Sequence, residues 1–387
     1  MVFAADISSG EVLDCLREMI KIPSINPPAN DDTCAKMIAN WLSKQGIKSE
    51  VIYSNRVANV VAELEGLKGK GPTLLWNGHY DVVPPGEDWT INPFEGKTEG
   101  GVLYGRGACD MKAGLTAMMF AMRSLQARRE HIRGKIVFTA VGDEETGSKN
   151  GTLFLLEKGY GRGASFAMNA EPTDLRIELG NRGLRWLEVM VKGKAAHAGR
   201  SFLGKNAVEH AAKIIKGLSE ISFSRTDKRF AASSPSVTPT MLQGGIQLNI
   251  VPDRCTLGID RRMIPGETEE MVIHEIQQVL DEVAEEGFSA EIKILNKGWD
   301  PYYISESEPV VQALEQEYKK VMKEKPVFKG KSGSTDASHL YHKGGIPTVL
   351  FGPGSASYAH KPDERVNLES VVQAAQIYYL TALNLLR

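Results

Sequence analysis

Continuously apolar runs set between helix-like segments constrain this chain more than any other feature. TLLWNGHYD (73–81), KIVFTAVGDEE (135–145), SFAMNAE (165–171) and PTVLFGP (347–353) are apolar on both faces of any strand they form. A strand of that kind is buried on both faces, as in a parallel sheet covered by helices. The covering helices are legible too. Segments 11–22, 32–46, 111–130, 308–324 and 367–386 carry apolar residues at helical spacing. Runs at 49–54, 58–66 and 101–107 add further strand-like pieces. The expected fold class is α/β with a mainly parallel central sheet.

The middle of the chain breaks this pattern. RGLRWLEVMVKGKAAH (182–197) alternates apolar and polar residues, the mark of a half-exposed antiparallel strand. A helix at 206–221, a strand at 249–263, a helix at 268–286 and a strand at 289–296 follow. At 387 residues the chain exceeds one ordinary core. The expectation is a discontinuous α/β domain of residues 1–178 and 297–387, interrupted by an α+β domain of 179–296.

The formal charge of −2, with no lysine or arginine block, argues against nucleic acid or a membrane surface as the main partner. The first residues have no basic start and no long apolar run, so no signal peptide is expected. No stretch approaches the roughly 20 apolar residues of a membrane span. Cys15, Cys34, Cys109 and Cys255 are scattered and form no C-x-x-C pair, which fits reduced thiols and a cytoplasmic location.

The apolar runs lead into side chains that bind metals. His79 and Asp81 are two apart, so on a strand they face the same side. A metal-binding histidine commonly gives its second ring nitrogen to a carboxylate, a role open to Asp81; a loop hydrogen bond is the plainer reading. Asp110, in GRGACDMKAG, lies between a strand and a helix, where α/β sheets bind ligands, or it caps the helix starting near Met111. GDEETGS crowds Asp143, Glu144 and Glu145 at the end of an apolar strand. Such crowding is unfavourable without nearby cations. Neighbouring strand residues diverge, so one glutamate can bind metal while the other handles a proton; the alternative is a solvated loop with a helix starting at Thr146. Glu171 ends another apolar run, and His360 lies in a Gly/Pro-rich loop after TVLFGP. Two histidines and three carboxylates suit a pair of Zn²⁺ ions with open positions. Ions in such pairs lie about 3.5–4 Å apart, so one carboxylate bridges them.

HYDVVPPG, GRGACDMKAG, DEETGS, AEPT and AHKPDERV, in that order, resemble the co-catalytic zinc peptidase family of acetylornithine deacetylase, succinyl-diaminopimelate desuccinylase, aminoacylase and glutamate carboxypeptidase. The resemblance covers nearly the whole chain. It implies that His79, Asp110 and Glu171 hold one divalent ion and Asp110, Glu145 and His360 the other, most often Zn²⁺, with Co²⁺ or Mn²⁺ as substitutes. It implies that Glu144 is the general base, that Asp81 orients His79, and that the Asp110–Met111 peptide is cis. The inserted domain is similar to that family's dimerisation lid. GKAAHAGR then supplies His197, which reaches a neighbouring subunit's site to stabilise an oxyanion, and NIVPDRCTLGIDRR supplies Asn249 and Arg262 to the substrate. Arg261 points the other way, and a surface ion pair is the plainer reading of Arg262. GSTDAS (333–338) falls where the family contacts substrate. Cys109 stands where other small residues occur and receives no role.

The function implied is two-metal hydrolysis of the amide of an N-acyl-L-amino acid, by a homodimer formed through the inserted domain. A dipeptidase or carboxypeptidase is the alternative, and a non-catalytic binding protein on the same fold is the remote one. Rival motifs are incomplete. There is no G-x-S-x-G elbow, HEIQQ (274–278) lacks the second histidine of a zincin, and FKGKS (328–332) echoes a phosphate loop but has Lys325 where the first glycine belongs.

Overall fold

The computed structural model describes residues 7–28, 31–295 and 298–387. The expected domain seam at 296/297 and the first six residues lie outside them. The chain forms two compact units: Met1–Asn181 with Tyr303–Lys331 and Thr335–Arg387, and Arg182–Tyr302 with Ser332–Ser334.

The main elements, in chain order, begin with helices α1 (Ser9–Ile20) and α2 (Thr33–Lys44) and strands β1 (Lys48–Ser54), β2 (Val57–Glu65) and β3 (Thr73–His79). Helix α3 (Lys112–Gln126) and strands β4 (Lys135–Val141), β5 (Phe166–Asn169) and β6 (Ile177–Asn181) complete the first part. The middle holds β7 (Gly183–Lys192), α4 (Ala207–Glu220), β8 (Ser236–Gly244), β9 (Arg254–Met263), α5 (Glu269–Glu282) and β10 (Ser289–Ile294). Helix α6 (Pro309–Met322), strands β11 (Phe328–Lys331) and β12 (Thr348–Leu350) and helix α7 (Leu368–Leu385) close the chain.

In the larger unit the sheet runs β1–β2–β4–β3–β5–β12–β6, with β11 beside β6. Its centre, β4–β3–β5–β12, is parallel. The expectation of a mainly parallel sheet holds there, but the sheet as a whole is mixed. Strands β1 and β2 are antiparallel, as are β2 with β4 and β12 with β6. The physical reason is local: β1 and β2 are joined by a tight turn at Asn55 and Arg56, both with positive φ, which enforces a hairpin. Helix α3 is buried along nearly its whole length and packs on α1 and α7.

The smaller unit is an antiparallel sheet, β8–β9–β7–β10, with α4 and α5 closing one core of Leu187, Val189, Ile214, Leu257 and Ile276. Strand β8 was not legible in the sequence. It contains Pro239, its register slips between Pro239 and Met241, and its residues are largely exposed, all features of an edge strand. The long strand expected over 182–197 stops at Lys192, and Ala196–His197 pairs separately with Ile250–Val251.

Two glycines fix the peptide that carries Glu171. A Cβ on Gly114, inside α3, would lie 2.1 Å from the Ala170 carbonyl oxygen, and one on Gly352 would lie 2.5 Å from the same atom. Alanine normally favours a helix interior over glycine by about 1 kcal/mol. At Gly114 the clash outweighs that gain. Gly114→Ala should lower stability by about 1–3 kcal/mol, read as the denaturant midpoint. Gly10→Ala in α1, whose Cβ meets nothing closer than 3.8 Å, should leave the midpoint unchanged or slightly raised. Equal effects at both positions would rule out the close-approach explanation.

Candidate metal centre

The parallel strands of the larger unit deliver their following residues to one edge, where ligands bind in open α/β sheets. His79 is the last residue of β3, Glu144 and Glu145 follow β4, and Glu171 follows β5. His360, in the loop beyond β12, takes a positive φ of 60°. Among the described residues, two groups bring ligand atoms within 4.8 Å of one another: His79, Asp110 and Glu171, and Asp110, Glu145 and His360. Asp110 belongs to both.

His79 is buried, and its Nδ1 lies 2.9 Å from the carbonyl oxygen of Asp81. A carbonyl only accepts, so Nδ1 carries a proton and Nε2 faces the cluster. Nε2 lies 3.2 Å from Asp110 Oδ1 and 3.7 Å from Glu171 Oε1. Asp110 turns its other oxygen, Oδ2, toward His360 Nε2 at 3.5 Å, and that nitrogen lies 3.1 Å from Glu145 Oε1. The Asp110–Met111 peptide is cis, as the resemblance implied. The helix-cap reading of Asp110 fails: α3 begins at Lys112 with Met111 before it, and no side chain caps it.

Glu144 and Glu145 do not end a strand as expected. Strand β4 stops at Val141, and the two glutamates lie on a short 3₁₀ turn, Glu144–Thr146. Glycine at 142 lets the chain leave the strand there, because a Cβ would strike the Tyr80 hydroxyl at 2.4 Å. The Asp81 carboxylate holds that turn. Its Oδ1 lies 3.3 Å from the Glu144 amide nitrogen, and its Oδ2 accepts from the Glu145 N–H at 3.2 Å and from Asn26 Nδ2 at 2.9 Å. Asp81 Oδ1 is also 3.5 Å from His79 Nδ1, farther than Asp81's own carbonyl.

Burial raises the proton affinity of Glu144 well above the usual carboxylate range; His79 opposes this, while Glu171, Glu145 and Asp336 add to it. Burial likewise raises Glu145 and Glu171. Burial also opposes charge on Asp110, but the hydrogen bond and charge of His79 outweigh it and hold Asp110 at about 2. The hydrogen bond that His360 donates to Glu145 is the largest of the effects that lift His360 to about 9. Carboxylates at such spacing need positive charge among them. The donor set therefore fits two divalent cations, which would stand where imidazole protons otherwise balance the charge.

Several neighbours of this site went unnoticed in the sequence. Glu364 is fully buried. Its Oε1 accepts the Cys109 and Asp110 N–H groups at 2.9 and 3.0 Å, and its Oε2 pairs with Arg106 at 2.6 Å. Arg106 stacks on Trp89 and donates to Pro85 O. Lys331 reaches Glu171 Oε2 at 3.4 Å. Asp336, in GSTDAS, is buried and accepts from Thr152 Oγ1 at 2.7 Å; burial raises it to about 6. Glu364 stood inside AHKPDERV and Lys331 inside FKGKS, but residue type and spacing give neither a partner.

The remaining expected residues lie on the smaller unit. His197 is exposed, and its Nδ1 accepts the Gly199 N–H at 3.0 Å, which places its proton on Nε2. Asn249 is exposed, and its carbonyl accepts the Ala198 N–H at 2.9 Å, so the two stand side by side. Arg261 is buried against Glu267 and Glu275, on the opposite face from Arg262 as expected. Arg262 is half-buried, and Asp260 takes both its Nε at 2.8 Å and its Nη2 at 3.2 Å. His274 of HEIQQ is an exposed residue of α5.

The chain belongs to Peptidase family M20/M25/M40, whose profile matches residues 75–384. It is an enzyme, a hydrolase of a metallopeptidase and amidohydrolase family. It is 29% identical to the N-formyl-4-amino-5-aminomethyl-2-methylpyrimidine deformylase of Bacillus subtilis, over 95% of this chain and 92% of that one. Its fold is that of the M20 family metallo-carboxypeptidase Sso-CP2 from Sulfolobus solfataricus, with a TM-score of 0.82 at 23% identity over 96% of this chain and 98% of that one. It also matches the Bacillus subtilis YXEP protein, described as a dinuclear metal binding peptidase, with a TM-score of 0.74 at 19% identity over 98% of both chains. Among the described residues no helix is long and apolar enough to cross a membrane.

The Arg106–Glu364 pair makes a direct prediction. Glu364→Ala leaves Arg106 buried without its partner and two backbone N–H groups unpaired. Removing one member of a buried pair costs about 3–5 kcal/mol. The denaturant midpoint should fall accordingly. A loss below about 1 kcal/mol, the range of an exposed pair, would mean that the clamp contributes little.

Proposed function

We propose that this chain cleaves the amide bond of a small N-acyl compound, using two divalent cations. His79, Asp110 and Glu171 would hold one and Asp110, Glu145 and His360 the other, with Asp110 as the bridge. The observation that carries this reading is one carboxylate shared by two ligand groups, with the buried Glu144 beside them. Imidazole and carboxylate donors suit Zn²⁺ best, with Co²⁺ or Mn²⁺ as substitutes. Bound cations would polarise the amide carbonyl and acidify a water.

The chain's own groups handle the proton and the charge. Glu144 takes a proton from the attacking water as its oxygen bonds to the amide carbon. Glu144 then gives that proton to the nitrogen as the C–N bond breaks, leaving a carboxylic acid and an amine, which become carboxylate and ammonium once the acid's proton passes to the amine. Burial with little solvent around it suits Glu144 to both halves of this cycle. Asp81 keeps the base in place through the Glu144 and Glu145 N–H groups and orients His79 through its own backbone carbonyl, which accepts from Nδ1. His197, with its proton on Nε2, is the donor for the oxyanion of a neighbouring subunit. A homodimer through the smaller unit is supported by edge strand β8 and the exposed Met241, Leu242, Ile246 and Leu248. Four free, buried cysteines support a cytoplasmic location.

Glu144→Gln should lower turnover by about 10²–10⁴-fold while two equivalents of metal remain bound. Full activity would remove Glu144 from the mechanism. Co-assembled Glu144→Gln and His197→Ala chains should regain part of the activity that each lacks alone, and no recovery under proven subunit exchange would remove His197 from the partner's site.

The favoured substrate is an N-acyl-L-amino acid, as for acetylornithine deacetylase and succinyl-diaminopimelate desuccinylase, with Asn249 and the Arg262 guanidinium as its contacts. Arg262 binds such a carboxylate only by exchanging it for Asp260. That occupancy favours a second reading, the formamide of an aminomethylpyrimidine. The deformylase relative's compound carries no carboxylate and would leave the Asp260–Arg262 pair intact. A dipeptidase or carboxypeptidase, as among the structural neighbours, is the third. A hydrolysis screen should rank acyl compounds above dipeptides by at least about tenfold in kcat/KM, one 1.4 kcal/mol step in barrier. It would contain N-formyl, N-acetyl and N-succinyl amino acids, a formylated aminomethylpyrimidine and dipeptides. Preference for dipeptides would sink the deacylase reading, and turnover of the pyrimidine alone would sink the amino-acid one.

A further inference from the structure

The sequence drew attention to FKGKS, and the function so far leaves that segment without a task. Its Lys331 ends strand β11, which runs parallel to β6 with Lys331 opposite Asn181 after a register shift. The side chain is turned inward and buried. Its Nζ donates to the Pro172 carbonyl at 3.0 Å and lies 3.4 Å from Glu171 Oε2. The other oxygen of Glu171, Oε1, is the one that faces His79 Nε2, at 3.7 Å. The two oxygens of one carboxylate are thus divided between an internal ammonium and the first ligand group.

We infer that Lys331 is a positioning residue: it holds one oxygen of Glu171 and so presents the other, singly, to the group formed with His79 and Asp110.

Three features make a lysine suited to this. Its long stem reaches inward from β11, and its ammonium carries three donors, of which Pro172 O fixes one and Glu171 another. A buried ammonium is retained only where carboxylates compensate it. Here the Glu171 carboxylate stands 3.4 Å from the ammonium, and the Pro172 carbonyl accepts from it at 3.0 Å. Glu178, on β6, is half-buried, and its Oε2 is buried without a hydrogen-bond partner. An uncharged side chain at 331 would leave Glu171 free to rotate or to turn both oxygens toward Asp110, against like charge.

The inference rests on Glu171 being a metal ligand, and the experiment separates the two. Metal binding is measured by titrating Zn²⁺ into metal-free protein against a competing chelator, with Co²⁺ absorption as a second readout. Both are independent of turnover. In a Glu145→Gln background, which disables the second group, one equivalent remains to be assigned. Glu171→Gln should abolish it; if it does not, the ligand assignment fails before Lys331 is at issue. Lys331→Met should weaken that equivalent by about 10–100-fold, the usual effect of losing an outer partner of a ligand, and alter the Co²⁺ bands. Lys331→Arg should restore most of the affinity. Unchanged or tighter binding in Lys331→Met, alongside loss in Glu171→Gln, would overturn the positioning role. Should Lys331→Met fail to fold by circular dichroism, Lys331→Gln, which keeps a donor without the charge, takes its place. Weakened binding in that variant supports the positioning role, and unchanged or tighter binding overturns it.

Discussion

The structure depends on bringing like charges together inside a protein. Asp110, Glu145 and Glu171 place oxygens within a few ångströms of two imidazoles, and Glu144 is buried beside them. Two unit charges 4 Å apart interact by about 1 kcal/mol in bulk water, but by about 4 kcal/mol at the effective dielectric of a protein. Each close carboxylate pair therefore opposes folding by an amount comparable to a sizeable part of a domain's net stability. Such an arrangement persists only where something offsets the repulsion. Imidazole protons do so in part, as the raised proton affinities of His79 and His360 record. Divalent cations would do so more fully, and their uptake would release those protons.

The scaffold answers the same constraint with a second set of carboxylates that bind backbone rather than metal. Asp81 meets the consecutive amides of Glu144 and Glu145, and Glu364 takes the consecutive N–H groups of Cys109 and Asp110. Each thus clamps the main chain that carries a member of the cluster, not that residue's own oxygens. A side-chain ligand is free to rotate, whereas a clamped peptide fixes where its Cβ begins. The two clamps differ in how their charge is met. Arg106 neutralises Glu364 outright. Asp81 has Asn26 and the two amides, and among charged groups His79. Glu364 also lies four residues after His360, so one carboxylate joins the loops that supply two of the second group's three members.

How much of this was legible in the sequence follows from what a sequence pattern can encode. The parallel centre was readable because burial on both faces leaves unbroken apolar runs such as KIVFTAV. The antiparallel margin and strand β8 were not, because Pro239 and exposed positions erase the alternation that would reveal them. The five clustered donors, His79, Asp110, Glu145, Glu171 and His360, were readable because each ends a strand or a loop at the edge where a sheet presents its residues. The clamps were not. Glu364 and Asp81 act on backbone N–H groups, which every residue except proline possesses, so no partner type marks them. Lys331 was visible only as part of a failed phosphate-loop match, since its partner, Glu171, is 160 residues away in the segment after β5. The expectation that Glu144 and Glu145 diverge because they lie on a strand was mistaken about the element: a 3₁₀ turn separates them instead.

That turn explains why Asp81 bears on the chemistry more broadly than as an orienter of one histidine. Along an extended strand, Glu144 and Glu145 would face opposite sides of the sheet, and only one would reach the cluster. In a 3₁₀ turn successive side chains are about 120° apart, so both can serve one site from adjacent positions. The turn has no side-chain cap of its own kind, and its first two N–H groups have no partner within it. Asp81 supplies the acceptor for both. Glu144 and Glu145 are then both set by one carboxylate, which reaches them from the segment just after His79. The spacing between Glu144 and His79 is fixed through that residue, rather than through the longer path of the chain between β3 and β4.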